Sequence, residues 1–140
     1  MYCCHIWGGA PVTSLKILDK LQARAIRLIN DVKLTSQLQS LSHRRAVASL
    51  SLFYRYYFGA CSSELAGCVP PPLMLTANRT SRLTTSSHPY TVVVPTCRTA
   101  FGKQTFVMRT SRIWNALPST CFPTSFNLQQ FKQAVNKQSF

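Results

Sequence analysis

The chain has 140 residues, 46% of them hydrophobic, which is enough for one domain with a sizeable core and too apolar for a disordered tail. Its 16 Lys and Arg residues are balanced by only three acids, Asp19, Asp31 and Glu64, for a net charge of +13. Nucleic acid is therefore the first partner to consider and an anionic membrane the second. Metal-dependent polymerase and nuclease sites and glycosidase sites need converging carboxylates. Because these three acids have no paired spacing, the sequence argues against all of those sites.

Six cysteines and three histidines raise the question of a metal site or a disulfide framework. Their spacing contains no CxxC or HxxxH pair, which argues against zinc, and no cofactor is indicated. The start MYCCHIWGGAP lacks the charged and apolar regions of a signal peptide, and no apolar run approaches the roughly 18 to 20 residues that span a bilayer. We therefore expect an intracellular protein, nuclear or cytoplasmic, with reduced and mostly buried thiols.

The first predicted helix runs from a cap at Thr13 or Ser14 to about Asn30. Its apolar residues recur at helical spacing on one face, which comprises Leu18, Leu21, Ala25, Leu28 and Ile29. Its basic residues follow the opposite face as a row of Lys16, Lys20, Arg24 and Arg27. This row is a candidate phosphate-facing ridge, with a merely solvated helix face as the alternative.

One or two helical turns are expected after Asp31, followed by a second long helix that is capped by Ser42, runs from His43 to about Phe58 and ends at Gly59. Its apolar stripe comprises Ala46, Leu50, Phe53 and Tyr57, and its opposite stripe comprises Arg44, Ala48, Ser51 and Arg55. An aromatic stripe at helical period usually packs in a core. The flanking rings of Tyr54 and Tyr56 are candidates for stacking on bases beside Arg55.

After Cys61 the helical pattern weakens. The stretch SSELAGCV predicts a short helix, which PPPL at residues 70–73 ends because consecutive prolines remove hydrogen-bond donors. Residues 70–89 form the predicted linker, rich in Pro, Ser and Thr. Its Arg79 and Arg82 could order on a phosphate backbone, or the segment could be a mobile surface loop.

The last third begins with YTVVVP at residues 90–95, which predicts a strand paired in a hairpin with a second short strand at about 99–106. A helix over about 106–116 is expected to place Arg109 and Arg112 outward, and a final helix begins near Ser125. The predicted fold is mainly α with a small β hairpin (α+β). It comprises a helical region over residues 1–69, the linker over 70–89, and the hairpin with two helices over 90–140.

Six blocks of sequence are informative when read in order: YCCHIWGGAP, LDKLQARAIRLI, HRRAVASLSLFYRYYFGACSSEL, PPPL, HPYTVVVPTCRT and SRIWNALP. Together they resemble the C-terminal region of reverse transcriptases from animal non-LTR retrotransposons of the jockey, CR1 and R1 type. The resemblance extends from about Tyr2 to Phe131. Each block alone is weak evidence, and the strength of the resemblance lies in their order and spacing.

In that family this region follows the palm, whose aspartates hold the catalytic metals, and includes a thumb-like helical part. The resemblance implies a non-catalytic, thumb-like piece of an RNA-directed DNA polymerase, which holds the template-primer duplex in support of target-primed reverse transcription. The catalytic turn of an aromatic residue, alanine and two aspartates is absent from this sequence. The implied backbone contacts are Lys16, Lys20, Arg24, Arg27, Arg44, Arg45 and Arg55, whereas Trp7, Phe53 and Trp114 are expected to pack.

Charge pattern and resemblance together define one set of candidate nucleic-acid-binding residues: Lys16, Lys20, Arg24, Arg27, Arg44, Arg45, Arg55, Tyr54, Tyr56, Arg79, Arg82, Arg109 and Arg112. The expected partners are RNA, DNA or their hybrid, bound without sequence preference, and the palm of the parent polymerase. Neither a membrane nor a small-molecule substrate is expected.

The main alternative is an inert remnant of a degenerate element, whose helices once packed on the palm. A cationic membrane-active protein and an independent enzyme are further alternatives, but the polar linker argues against the first and the missing Cys-His-acid order against the second.

Overall fold

A computed structural model of the protein describes residues 3–73 and 88–140. The prediction of a mainly helical fold is confirmed for these residues. The helices within the described ranges are α1 (Cys4–Trp7), α2 (Val12–Ile29), α3 (Val32–Thr35), α4 (Leu41–Tyr57), α5 (Ser63–Ala66), α6 (Ala100–Lys103), α7 (Phe106–Asn115) and α8 (Leu128–Asn136), with a 3-10 turn over Ser119–Cys121.

Helix α4 lies at the centre and contacts α1, α2, α5, α7 and α8. Its cap is Ser40 rather than the predicted Ser42, since the Ser40 hydroxyl accepts a hydrogen bond from the backbone N–H of His43 at 3.1 Å. Its predicted end at Gly59 is confirmed. Gly59 has a φ of 68°, and the N–H of Ala60 donates to the carbonyl of Arg55 at 2.8 Å, the bond pattern of a Schellman cap.

The core is aromatic and is built around Trp114 of α7. The indole lies 5.0 Å from the ring of Phe53 and 4.9 Å from that of Phe122, measured between centroids. Its N–H donates to the carbonyl of Tyr90 at 2.7 Å, so the polar end of this buried ring is satisfied. Phe53 and Trp114 therefore pack as predicted, and α4, α7 and α8 share one core.

The predicted β hairpin is not shown: the described residues contain no strand, only an isolated antiparallel bridge between Pro72 and Val92. The second half of that hairpin is helical instead, because Thr99 caps α6 by accepting a hydrogen bond from the N–H of Gly102 at 3.0 Å. The side chain of Asn115 takes the place of a partner strand. It accepts from the N–H of Val92 at 3.0 Å and donates to the carbonyl of Val92 at 2.8 Å.

Both described ends of the predicted linker over residues 70–89 form hydrogen bonds, the first with residues 91–93 and the second with α7. The N–H of Leu73 donates to the carbonyl of Thr91 at 2.8 Å, and that of Val93 to the carbonyl of Pro71 at 2.9 Å. His88 is buried, with its Nε2 at 2.9 Å from the carbonyl of Trp114. The predictions for Arg79 and Arg82 fall outside the described residues.

Helix α2 begins after Pro11, without a side-chain cap, so the predicted cap at Thr13 or Ser14 is wrong. It ends as predicted at Asn30, which has a left-handed φ of 48°. The Gln22 side chain attaches α2 to the start of α4 and to the residues just before it. It donates to the carbonyl of Gln39 and accepts from the N–H of Leu41, each at 3.0 Å.

The predicted apolar face of α2 is exposed in the structure. Leu18, Leu21, Ala25, Leu28 and Ile29 are all open to solvent. The half-buried residues of this helix are Leu15, Asp19, Gln22 and Ile26. The attached side carries Asp19 and Gln22, whose contacts with Arg45, Gln39 and Leu41 are polar, so helix periodicity in apolar residues does not identify it.

Five cysteines have described side chains, Cys3, Cys61, Cys68, Cys97 and Cys121, and all are free thiols. Of these, Cys121 is buried, while Cys3 and Cys68 are exposed, so the prediction of mostly buried thiols is wrong for this set. Among the helices of the described ranges, none is both long enough and apolar enough to cross a membrane.

Candidate nucleic-acid interface

A groove of about 480 Å³ runs between α4 and α8, and three cations line it. Arg44 and Arg55 come from α4, and Lys132 comes from α8. The other lining residues are Gln39, Val47, Ala48, Ser51, Leu52, Leu128 and Asn136. None of the described residues that line this groove is an acid, so it has the charge that a phosphate backbone requires.

The geometry of α4 explains why its two arginines lie on the same side. Arg44 and Arg55 are separated by three helical turns, a rise of about 16 Å at 1.5 Å per residue. Ala48 and Ser51 lie between them on the same stripe, and both line the groove. The stripe of Arg44, Ala48, Ser51 and Arg55 thus forms one wall of the groove.

Arg55 and Arg44 differ in what they do for the helix. The Nη2 of Arg55 donates to the carbonyl of Ala60 at 3.2 Å, where a cation stabilises the carboxyl end of α4. Four of its five N–H donors are not used in that bond. Arg44 follows the first turn of α4, where a cation gains nothing from the helix dipole. Both arginines are exposed residues.

The three acids of the chain lie elsewhere and are engaged locally. Asp19 forms an ion pair with Arg45 at 3.3 Å. Asp31 caps α3, accepting from the N–H of Lys33 at 2.8 Å. Glu64 lies in the first turn of α5, where its own backbone N–H and the hydroxyls of Ser62 and Ser63 lower the pKa of its carboxyl. None of the three lines the groove, so its positive charge is not neutralised by a lining carboxylate.

The prediction that Arg45 and Tyr54 contact nucleic acid is wrong, because both residues are buried. Arg45 is 8% exposed and is held by Asp19, so it attaches α2 to α4 instead of contacting phosphate. Tyr54 is fully buried and stacks on Phe131 with a centroid distance of 4.2 Å, so it has no face for a base. They lie about 180° apart on a helical wheel of α4, near the two edges of the broad arc that neighbouring helices cover, and a wheel of α4 alone does not show how wide that arc is.

Tyr56 is half-buried, and its ring meets Phe106 edge to face at a centroid distance of 6.0 Å. Burial raises the pKa of its hydroxyl, with smaller contributions from Cys61 and Cys68. It does not line the groove. Its role in stacking on bases stays a prediction.

The remaining predicted cations lie apart from the groove. Lys16, Lys20, Arg24 and Arg27 are exposed along α2. On α7, Arg112 is exposed, and the Nη1 of half-buried Arg109 donates to the carbonyl of Gln104 at 3.4 Å. The structure thus joins Arg44 and Arg55 into one site and does not join these other cations to it.

Lys132 lines the groove but does not belong to the predicted set of contact residues. The signal was present in the spacing, since Leu128, Lys132 and Asn136 recur every four residues on one stripe of α8 and all line the groove. Which stripe of α8 faces α4 depends on packing between residues that are distant in sequence. In that packing Phe131 and Val135 are buried in the shared core.

Comparison with known proteins gives no match: no protein-family model, no curated protein and no solved structure matches this chain.

Proposed function

We propose that this chain binds the sugar-phosphate backbone of nucleic acid through the groove between α4 and α8. The observation that carries the proposal is the convergence of Arg44, Arg55 and Lys132 on one groove that no acid lines among the described residues. Cations that are not neutralised release counterions from a nucleic acid when they bind its phosphates, and this release drives association.

The spacing of the cations suits an extended row of phosphates. About 16 Å between the two arginines along α4 corresponds to about five phosphates of one strand at 3.4 Å each. Arginine can donate to phosphate through two parallel N–H groups, and lysine acts as a point charge. Contacts of this kind position a duplex or strand and do not read its sequence.

The resemblance to retrotransposon reverse transcriptases supports the same role. We propose a non-catalytic, thumb-like module of an RNA-directed DNA polymerase, with an RNA-DNA hybrid or duplex as the bound form and target-primed reverse transcription as the process. The chemistry of the groove agrees with such a role because gripping a moving duplex requires affinity without base recognition.

The test is binding to a short fluorescent RNA-DNA hybrid, measured by anisotropy at about 50 mM and about 200 mM salt, with circular dichroism on the same sample. If all three cations bind phosphates, we expect a slope of about −2 to −3 in log K against log salt. A second hybrid of the same length and scrambled sequence should bind equally well. A folded protein that binds no hybrid, or binds with no salt dependence, would contradict the proposal.

The alternative is that the chain is an inert remnant with no function of its own. The exposed apolar face of α2 favours this alternative. If that face prevents the chain from staying folded and monomeric on its own, the protein has no activity to measure. A cooperative thermal transition together with a monomeric sedimentation coefficient would reject this candidate.

A further inference from the structure

Helix α2 presents three distinct faces to its surroundings. The first attaches it to the body of the protein, through Leu15, Asp19, Gln22 and Ile26 at spacings of 4, 3 and 4 residues. These residues cover one side of the helix. The other residues of the helix are exposed.

The second face is apolar and open. Ile17 is 60% exposed, Leu21 57% and Leu28 78%, and at 100° per residue their common direction lies about 150° from the attached side. Leu18 and Ile29 widen this stripe toward the body and are exposed as well. Past the end of α2, Val32 and Leu34 of α3 are also exposed. A stripe of this length is more than scattered surface leucines, and it marks an interaction surface.

The third face is the basic row of Lys16, Lys20, Arg24 and Arg27, whose common direction lies about 85° from the apolar stripe. The row therefore borders the stripe along its length. The one acid of this helix, Asp19, is on the attached side and paired with Arg45. Its carboxylate is thus held by Arg45, across the helix from the stripe.

The charge of this border selects among possible occupants. A second copy of the chain would bring another net charge of +13 and an identical basic row, which would repel the first. A phosphate backbone would match the row and leave the apolar stripe uncovered. An amphipathic helix with acidic residues along the edges of its apolar stripe matches both.

We propose that the open face of α2 docks an amphipathic helix of a partner protein, with its apolar stripe against Ile17, Leu21 and Leu28 and its Asp and Glu residues against the basic row. This surface does not overlap the groove between α4 and α8. The inference therefore stands whether or not that groove binds nucleic acid. Helix-to-helix packing of this kind is a recurring mode of protein recognition.

The experiment uses the full chain and two synthetic helical peptides that share one apolar stripe, one edged with Glu and the other with Lys. Isothermal titration at low salt should show binding of the Glu-edged peptide and none of the Lys-edged peptide. The variant Ile17→Ser/Leu21→Ser/Leu28→Ser should bind the Glu-edged peptide at least about tenfold more weakly, a change of about 1.4 kcal/mol. The variant Lys20→Gln/Arg24→Gln, which leaves the stripe intact, should weaken binding and reduce its salt dependence.

Phe101→Ser is the matched control, since Phe101 is 86% exposed and belongs to α6 and not to the open face of α2. It should bind the Glu-edged peptide as the parent chain does. Equal binding of both peptides, or of neither, would overturn the proposal. So would a dimer in sedimentation that the triple serine variant abolishes, or a preference for anionic phosphatidylserine vesicles over the Glu-edged peptide.

Discussion

The backbone N–H of Asn127 donates a hydrogen bond to the phenolic oxygen of Tyr54 at 3.1 Å, across a sequence separation of 73 residues. Asn127 is also the cap of α8, and its side-chain oxygen accepts from the N–H of Gln130 at 3.0 Å. Tyr54 thus holds the start of the helix that carries Lys132 into the groove. Tyr54 was predicted to stack on bases, but in the structure it links α4 to α8.

Removing only the hydroxyl tests this link. Tyr54→Phe keeps the ring stacked on Phe131 and loses one hydrogen bond, so we expect a loss of about 1 kcal/mol in the free energy of unfolding. Urea denaturation measures this loss. Hybrid binding of the folded variant should be unchanged, and weaker binding without loss of stability would mean that the hydroxyl reaches the nucleic acid.

Neutralising the groove should weaken nucleic-acid binding more than an equal loss of charge elsewhere. The variant Arg44→Gln/Arg55→Gln/Lys132→Gln removes three charges from the groove, and Lys33→Gln/Arg98→Gln/Lys103→Gln removes three exposed charges outside it. The salt slope should become shallower by about 0.7 to 0.9 for each phosphate that the groove variant no longer neutralises. Anisotropy titrations at several salt concentrations measure both variants. Equal losses in the two would show that net charge, and not the groove, determines binding.

Trp114 should dominate the stability of the core. Trp114→Ala removes a fully buried indole and its bond to Tyr90, and we expect it to cost about 3 to 5 kcal/mol. Phe101→Ala, at an exposed position, should change stability by less than about 0.5 kcal/mol. Thermal and urea denaturation of both variants measure the difference. A small loss for Trp114→Ala would mean that the aromatic cluster is not the cooperative core.

His88 should make the fold sensitive to mild acid. Burial lowers the pKa of its imidazole, against a smaller opposing effect of the hydrogen bond to Trp114. The unfolded chain, with a His pKa of about 6.5, then takes up a proton before the folded chain does, so stability is full above that pH and is lost as the pH falls. We expect the melting temperature to drop between about pH 7.5 and about pH 5.5.

The variant His88→Gln keeps a donor for the carbonyl of Trp114 and does not titrate in this range. Its melting temperature should change less between the two pH values than that of the parent chain. Parallel pH profiles for parent and variant would assign the acid sensitivity to another group.

The helices were the most predictable part of the fold. The period of Leu50, Phe53 and Tyr57 predicted both the existence and the covered side of α4, and Gly59 predicted its end. The strand prediction for YTVVVP was wrong for a physical reason: β-branched residues favour extended backbone, but a strand also needs a partner. Here Asn115 and residues 71–73 satisfy the backbone of that segment, and Thr99 turns the following residues into α6.

By itself the sequence determined the excess of positive charge, the shortage of acids and the helical period of α2, α4, α7 and α8, because each of these is a property of composition or of neighbouring residues. Tertiary structure decided which side of α2 is attached to the body and which cations share the groove. A wheel shows that α2 has an apolar and a basic face, but Asp19 and Gln22 attach it by a third side. In the same way, Arg45 was drawn into an ion pair. Lys132 was brought beside Arg44 and Arg55 only because α8 packs on α4 through Tyr54 and Phe131, contacts between residues too far apart in the chain for local periodicity to encode.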